Sequence, residues 1–236
     1  MHRLFSIAII FLTACSTASE PVPIEHAFET AVERARSSDG DGALAALLTA
    51  LENDPAACQR ALLEPAFRSG LRDDDAFRDA IRDAAVRHGI SALALAPEDE
   101  PGEWIEIEGR VIDEEDAPVA GAVVRIFATD TEGRYHPTIE GERVPRLFGT
   151  MVTDDEGRFT CRTVRPGPYP GTRQARHIHM AVDADGKRLT RPHYAVFDDD
   201  PLLEEPQNAE QRGEAIRIAM SKEGDRSIGT LILPVR

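Results

Sequence analysis

Cysteine is scarce in this sequence, with three residues in 236. Beyond Cys15, near the start, only Cys58 and Cys161 remain, too few for a disulfide framework. One bridge between them is open to an oxidising compartment, but two buried free thiols are the expectation. Positive charge is also in deficit, 27 Lys and Arg against 42 Asp and Glu, for a formal net charge of -15. That balance argues against nucleic-acid binding, because phosphates would be repelled rather than neutralised. No fixed repeat period is visible, which disfavours a tetratricopeptide-like or other repeat array. Tyrosine is rare too, at three residues. What is present is ordinary for a folded chain: 42% hydrophobic residues, and a length that suits one large domain or two small ones.

The N-terminus reads as an export signal. Met1, His2 and Arg3 lead into an apolar stretch, residues 4–12, that is too short to span a bilayer. Its end, Leu12-Thr13-Ala14-Cys15, looks like a bacterial lipobox, in which small residues admit the signal peptidase and the cysteine sulfur carries the lipid. Cys15 is then the lipidation site, residues 1–14 the signal peptide and residues 15–24 a small, polar, proline-containing tether. Ser16, rather than an aspartate, follows the cysteine. The expected location is therefore a membrane-anchored lipoprotein outside the cytoplasm, at the outer membrane if the host has two membranes.

Residues 25–95 carry helical signals. Phe28, Val32 and Ala35 share a face, residues 43–51 are rich in alanine and leucine, and Phe77, Ile81, Ala84 and Ala85 fall at helical spacing. Asp75 is the expected N-cap and Gly89 the C-cap of the last helix. Asp54-Pro55 and residues 70–74 are breaks, giving three or four short helices in a small α-helical domain without recognisable chemistry. Residues 96–103, acidic and containing Pro97 and Pro101, read as a linker. From Trp104 the pattern changes to short β-type runs: Ile105, Ile107 and Val111; Val123, Val124 and Ile126; Phe159, Cys161 and Val164. Between strands lie aspartate-led turns at 113–117, 130–133, 154–157 and 183–186, where the aspartate can bond the backbone ahead of it. Residues 104–236 are thus expected to be mainly β, an antiparallel β-sandwich.

His177-Ile178-His179 precedes an apolar segment and belongs on a strand, where residues two apart project from one face. Both imidazoles then point the same way, the arrangement needed to hold one metal ion, although an exposed polar strand face gives the same pattern. Two of the three tyrosines lie in turn-like segments, at Tyr135 after Gly133-Arg134 and at Tyr169 within Pro166-Gly167-Pro168-Tyr169-Pro170.

Taken in order, Asp130-Thr131-Glu132-Gly133-Arg134-Tyr135, Thr153-Asp154-Asp155-Glu156-Gly157-Arg158-Phe159, residues 163–170 and His177-Ile178-His179 resemble the pattern of the intradiol ring-cleavage dioxygenases. Gly109-Arg110-Val111 and Pro118-Val119-Ala120-Gly121-Ala122 look like that family's opening strand and turn. Leu189-Thr190 and residues 194–201 look like its closing region. The match covers residues 104–202. It implies a non-haem Fe(III) site with Tyr135, Tyr169, His177 and His179 as ligands, consistent with the preference of ferric iron for hard, anionic phenolates. It implies O2 and a catechol-like diol as partners, the diol displacing Tyr169 while Tyr135 stays bound. Homo-oligomers are open to such a chain.

The sequence departs from the family at one instructive place. An arginine usually stands three residues before the first histidine, and here that position is Gln174. Arg173 and Arg176 flank it, and Arg173 is the preferred catalytic substitute, since Arg176 neighbours His177 and should face away. Phe148-Gly149 replaces the usual Arg-Gly before the second turn. His136 reads as a loop histidine, and His193-Tyr194 as a possible rim of the site. A second reading, a catalytically weak or inactive β-sandwich binding protein at the cell surface, follows from these changes.

Overall fold

A computed structural model describes residues 23–68, 70–135, 145–184, 187–188 and 193–235. Cys15, His136, Gly186 and Leu189-Thr190 lie outside the described residues. Four helices open the fold: α1 (Ala27–Arg36), α2 (Gly40–Asn53), α3 (Ala56–Leu63) and α4 (Asp75–His88). Their alanine- and leucine-rich faces explain the close packing: Ala27, Ala31, Ala43, Leu47, Ala57, Ala61, Ile81 and Ala84 are all fully buried. Asp39 caps α2 by accepting from the Gly42 N–H at 3.0 Å. Asp74, rather than the expected Asp75, caps α4, accepting from the Ala76 N–H at 2.8 Å. The capping side chain must belong to a residue outside helical backbone geometry, and Asp74 is extended there (φ -78°, ψ 131°). Gly89 closes the helix in left-handed geometry, as expected.

Among the described residues ten strands follow: β1 (Ala92–Ala94), β2 (Trp104–Ile112), β3 (Val123–Ala128), β4 (Leu147–Val152), β5 (Arg158–Val164), β6 (His177–Ala184), β7 (Lys187–Arg188), β8 (His193–Phe197), β9 (Ile216–Glu223) and β10 (Arg226–Pro234), with α5 (Ala209–Glu214) before β9. β1 falls inside the span read as helical. The chain is mainly β from there on, but the strands form one path, β1-β5-β2-β10-β9-β8-β6-β3-β4, with β7 beside β6. It is not purely antiparallel, as the turn chemistry suggested. β1–β5, β2–β10 and β8–β9 run parallel, because these neighbours are joined by long returns rather than by tight turns. β9 serves both halves, pairing β8 through residues 216–218 and β10 through residues 219–223. The path nearly closes on itself, since the Val152 N–H of β4 donates to the carbonyl of Ile90 at 2.6 Å, just before β1.

The helices share one apolar core with the sheet. Phe28, Phe67, Phe77 and Phe148 make a run of edge-on ring contacts, with centroids 5.9, 5.9 and 6.4 Å apart, that leads from α1 to β4. Segment 96–103 also packs down: Ala96 is buried, and the buried Glu100 pairs with Arg146. Cys58 and Cys161 are buried free thiols, and burial pushes them up to about 11 and about 12, far from a reactive thiolate at neutral pH. Among the described residues no helix is long and apolar enough to cross a membrane.

Candidate metal centre

The site is built on the outward face of β6 and two loops. Along β6, Ile178, Met180 and Val182 enter the core, so strand alternation turns His177 and His179 to the other face. Register places Phe127 of β3 on one side of His179 and Tyr194 of β8 on the other. The Phe127 ring stacks on the His179 imidazole, 4.5 Å between centroids and 5° from parallel, which fixes the plane of that ring.

Tyr135 is delivered by a turn that Asp130 organises. The Asp130 carboxylate accepts from the N–H groups of Glu132 and Arg134, each at 3.0 Å. Asp113 and Asp154 do the same in their own turns, which is the local chemistry expected of all three. The Asp130 carbonyl then accepts from the Gly133 N–H at 3.0 Å and from the Gly167 N–H at 2.8 Å, joining this turn to the loop that carries Tyr169. The two backbones touch at glycines. A Cβ on Gly133 (φ +79°) would lie 1.9 Å from the Pro168 carbonyl oxygen, and one on Gly167 would lie 2.3 Å from that of Thr131. The Arg146 N–H holds the Tyr135 carbonyl at 2.9 Å from the start of β4.

The four expected residues come together. The Tyr135 and Tyr169 hydroxyls are 2.5 Å apart. His179 Nε2 lies 2.9 Å from the Tyr135 hydroxyl and 3.1 Å from that of Tyr169, and His177 Nε2 is 3.2 Å from the Tyr169 hydroxyl. His177 Nδ1 sits 2.8 Å from the Ala175 carbonyl, so it carries the proton and donates, leaving a lone pair on Nε2. The structure does not bring Arg173 to this cluster: its guanidinium is exposed and pairs with Glu205 through Nε and Nη2. Arg176 is likewise committed, to the buried Asp200 at 2.8 Å. Gln174 is half-buried. Tyr194, with its ring centroid 5.3 Å from that of His177 and 4.9 Å from that of His179, completes the group on its solvent side. Phe127 was missed in the sequence; its odd place in a strand whose Val124 and Ile126 face the core was the available signal.

Burial sets the protonation of the metal-free site. It drives the Tyr135 phenol well above the ordinary range, helped by the hydrogen bond to Tyr169. Burial also raises Tyr169, against the opposing effect of the bond from Tyr135. His177 is lowered by burial, and His179 is pushed down to about 4 by burial and by the neighbouring His177. The cluster is therefore neutral at pH 7. Below pH 6.5 an unfolded chain takes up protons that folded His179 refuses, so stability falls as pH drops from about 6.5 to about 4 and levels off below. The loss from His179 is at most about 3 kcal/mol, less what partial solvation of the ring removes. Melting temperatures of metal-free protein across this range should show the decline, and His179→Gln should flatten part of it; an unchanged slope in that variant would refute the burial argument.

The donor set fits a ferric ion. Among the described residues no cluster of three His, Cys, Asp or Glu side chains exists to hold a metal, and the donors gathered beside the two imidazoles are the phenols of Tyr135 and Tyr169. The Nε2 atoms of two imidazoles, that of His177 with its lone pair free, and two phenols converge at hydrogen-bond distance, and deprotonation of the phenols would leave two adjacent anions that only a highly charged cation could hold together.

A family model described as Dioxygenase matches residues 79–203, more than half of the chain. The beta chain of protocatechuate 3,4-dioxygenase from Burkholderia cepacia is 32% identical over 128 residues, 49% of this chain and 54% of that one. Catechol 1,2-dioxygenase 1 from Acinetobacter lwoffii is 27% identical over 165 residues, 62% of this chain and 52% of that one. The chain thus spans about half the length of these curated relatives. Among solved structures, the dioxygenase domain of a carbohydrate-binding fusion protein from Streptomyces sp. SirexAA-E aligns with 27% identity and a TM-score of 0.47, over 61% of this chain and 87% of that one. With its family model covering the strands and loops that carry Tyr135, Tyr169, His177 and His179, the chain belongs to the intradiol ring-cleavage dioxygenase family.

Proposed function

We propose that the chain is a non-haem Fe(III) enzyme that opens a catechol-like aromatic diol with O2 between the two hydroxylated carbons. The observation that carries this reading is the convergence of Tyr135, Tyr169, His177 and His179 on one another. Ferric iron bound by these four supplies a Lewis-acidic, redox-capable centre that draws electron density from the diol and makes its ring reactive toward O2. The protein's own part is positioning and proton handling. Tyr135, clamped by the Asp130 turn and the Arg146 N–H, is the fixed ligand. Tyr169, whose carbonyl accepts from the N–H and hydroxyl of Thr172, presents its hydroxyl oxygen beside the Tyr135 hydroxyl and His177 Nε2, where as a phenolate it would accept a proton from a substrate hydroxyl. Phe127 holds His179 in plane, and the half-exposed Tyr194 forms an aromatic wall against which a flat substrate can lie.

One observation favours a second reading, a catalytically weak or inactive binding protein at the cell surface. Arg173 and Arg176 are engaged by Glu205 and Asp200, and Gln174 stands at the family's arginine position, so this loop offers no guanidinium to stabilise charge developing on the substrate. The test has two stages. Iron-loaded protein should be burgundy-red from tyrosinate-to-Fe(III) charge transfer, and a colourless iron complex would end the ligand assignment. Oxygen uptake with a panel of catechols then separates the enzyme from the binding protein. We also propose that Cys15 anchors the chain to a membrane outside the cytoplasm. Incorporation of labelled palmitate that disappears in Cys15→Ser would support it, and unlabelled wild-type protein would refute it.

A further inference from the structure

The helical segment brings charge of its own to the sheet face that bears the histidines. Arg68, Arg72 and Arg78 come from the stretch leading into α4 and from its first turns, and Arg146 stands just before β4. The Arg72 and Arg78 guanidinium groups lie 5.0 and 5.4 Å from the centroid of the Phe148 ring. Arg72 is 2% exposed, and its Nη2 donates to the Arg146 carbonyl at 2.5 Å. Arg146 is bound at both Nη atoms by Glu100, and those two side chains are 10% and 6% exposed.

Glu100 is the one carboxylate hydrogen-bonded to this group among the described residues, and it is used up on Arg146. Arg68, Arg72, Arg78 and Arg146 each retain a buried Nε–H with no hydrogen-bond partner, and Arg78 retains a buried Nη2 as well. Burial and the charges of Arg146, Arg68 and Arg78 pull Arg72 down to about 9, with Asp73 opposing. Contact with one phenyl ring offsets only part of what it costs to bury an unpaired charge. Guanidinium forks match oxyanions in shape as well as charge.

We propose that the seam between Arg68, residues 70–78 and β4 is a binding site for an oxyanion, a carboxylate or a phosphate, held by the unpartnered donors of Arg68, Arg72 and Arg78. Phe148 is the register partner of Phe127, and Phe127 that of His179, so the site shares a sheet face with the metal cluster at a distance of two strand spacings, roughly 10 Å. It does not depend on the ring-cleavage reading, since no ligand of the proposed iron takes part.

The experiment is thermal melting of the full chain in chloride, acetate and phosphate at matched ionic strength, with wild type, Arg78→Met and, in case that variant folds poorly, Arg68→Met. Wild type should show a saturable rise of about 3 °C or more with acetate or phosphate. A response to acetate assigns a carboxylate, and a response to phosphate alone a tetrahedral dianion. Arg78→Met should lose the response while melting no lower than wild type in chloride, because an uncompensated cation has been removed. Comparison with the variants subtracts general salting-out by phosphate. Equal melting in all three anions, or a response that persists in both variants, would overturn the site.

Discussion

Tyr135→Phe should bind iron at least about tenfold more weakly, lose most of the charge-transfer colour, and consume O2 with catechol about 100- to 1,000-fold more slowly than wild type. The phenylalanine keeps the ring contact with Phe127 but removes the oxygen that lies 2.5 Å from the Tyr169 hydroxyl and 2.9 Å from His179 Nε2. Folding should be little affected or improved, because a buried phenol far above its ordinary protonation range contributes no charge to the metal-free protein. That separates a ligand from a structural tyrosine: iron stoichiometry, visible absorption and oxygen uptake fall together while the melting temperature of metal-free protein holds. Full colour and full uptake in the variant would remove Tyr135 from the site.

Gly133→Ala should do comparable damage without replacing any proposed ligand. A methyl group at this position meets the Pro168 carbonyl oxygen at 1.9 Å and its carbon at 2.6 Å, backbone atoms that no rotamer change can move. The turn carrying Tyr135 and the loop carrying Tyr169 must then part by more than an ångström, breaking the bond from the Gly167 N–H to Asp130 and the 2.5 Å approach of the two hydroxyls. Left-handed backbone adds about 1–2 kcal/mol for any residue with a Cβ, so a control is needed to isolate the clash. Gly121 provides it, with φ +70° and nothing within 4 Å of a built Cβ. Gly121→Ala should cost only the backbone term and keep its iron, whereas Gly133→Ala should be isolated with well under one iron per chain. Equal iron content in the two variants would show that the touching loops do not set the site.

Much of this centre was legible from the chain because its determinants are local. The alternation that turns His177 and His179 to one face, the aspartate that shapes each turn and the glycine that follows it all act within five residues. The N-cap at Asp74 rather than Asp75 is a one-residue error of the same local kind. What stayed hidden is set at long range. Nothing near residues 226–234 announces that β10 runs parallel to β2, because the partner strand lies roughly 120 residues away. Arg173 looked available beside Gln174 because its partner, Glu205, is remote in sequence. Segment 96–103 has a linker's composition, yet Glu100 is buried on Arg146, and the helices share their core with the sheet through Phe77 and Phe148.

The position of β9 and β10 in the strand order has a kinetic consequence. Along the hydrogen-bonded strand order, β6, which carries both histidines, is joined to β2 and β5 through β8, β9 and β10, while at the other end β4 meets the segment before β1 through one backbone bond. Residues 216–234 therefore complete the hydrogen-bonded path between the two strand groups, and the loop bearing Tyr169, which leaves β5 and enters β6, runs from one group to the other. Pairings at such sequence separation close late and slowly. A chain still being made, or cut before residue 216, would possess all four proposed ligands but lack the strands that complete the sheet behind them, so firm capture of a metal there is expected only after β9 and β10 have docked.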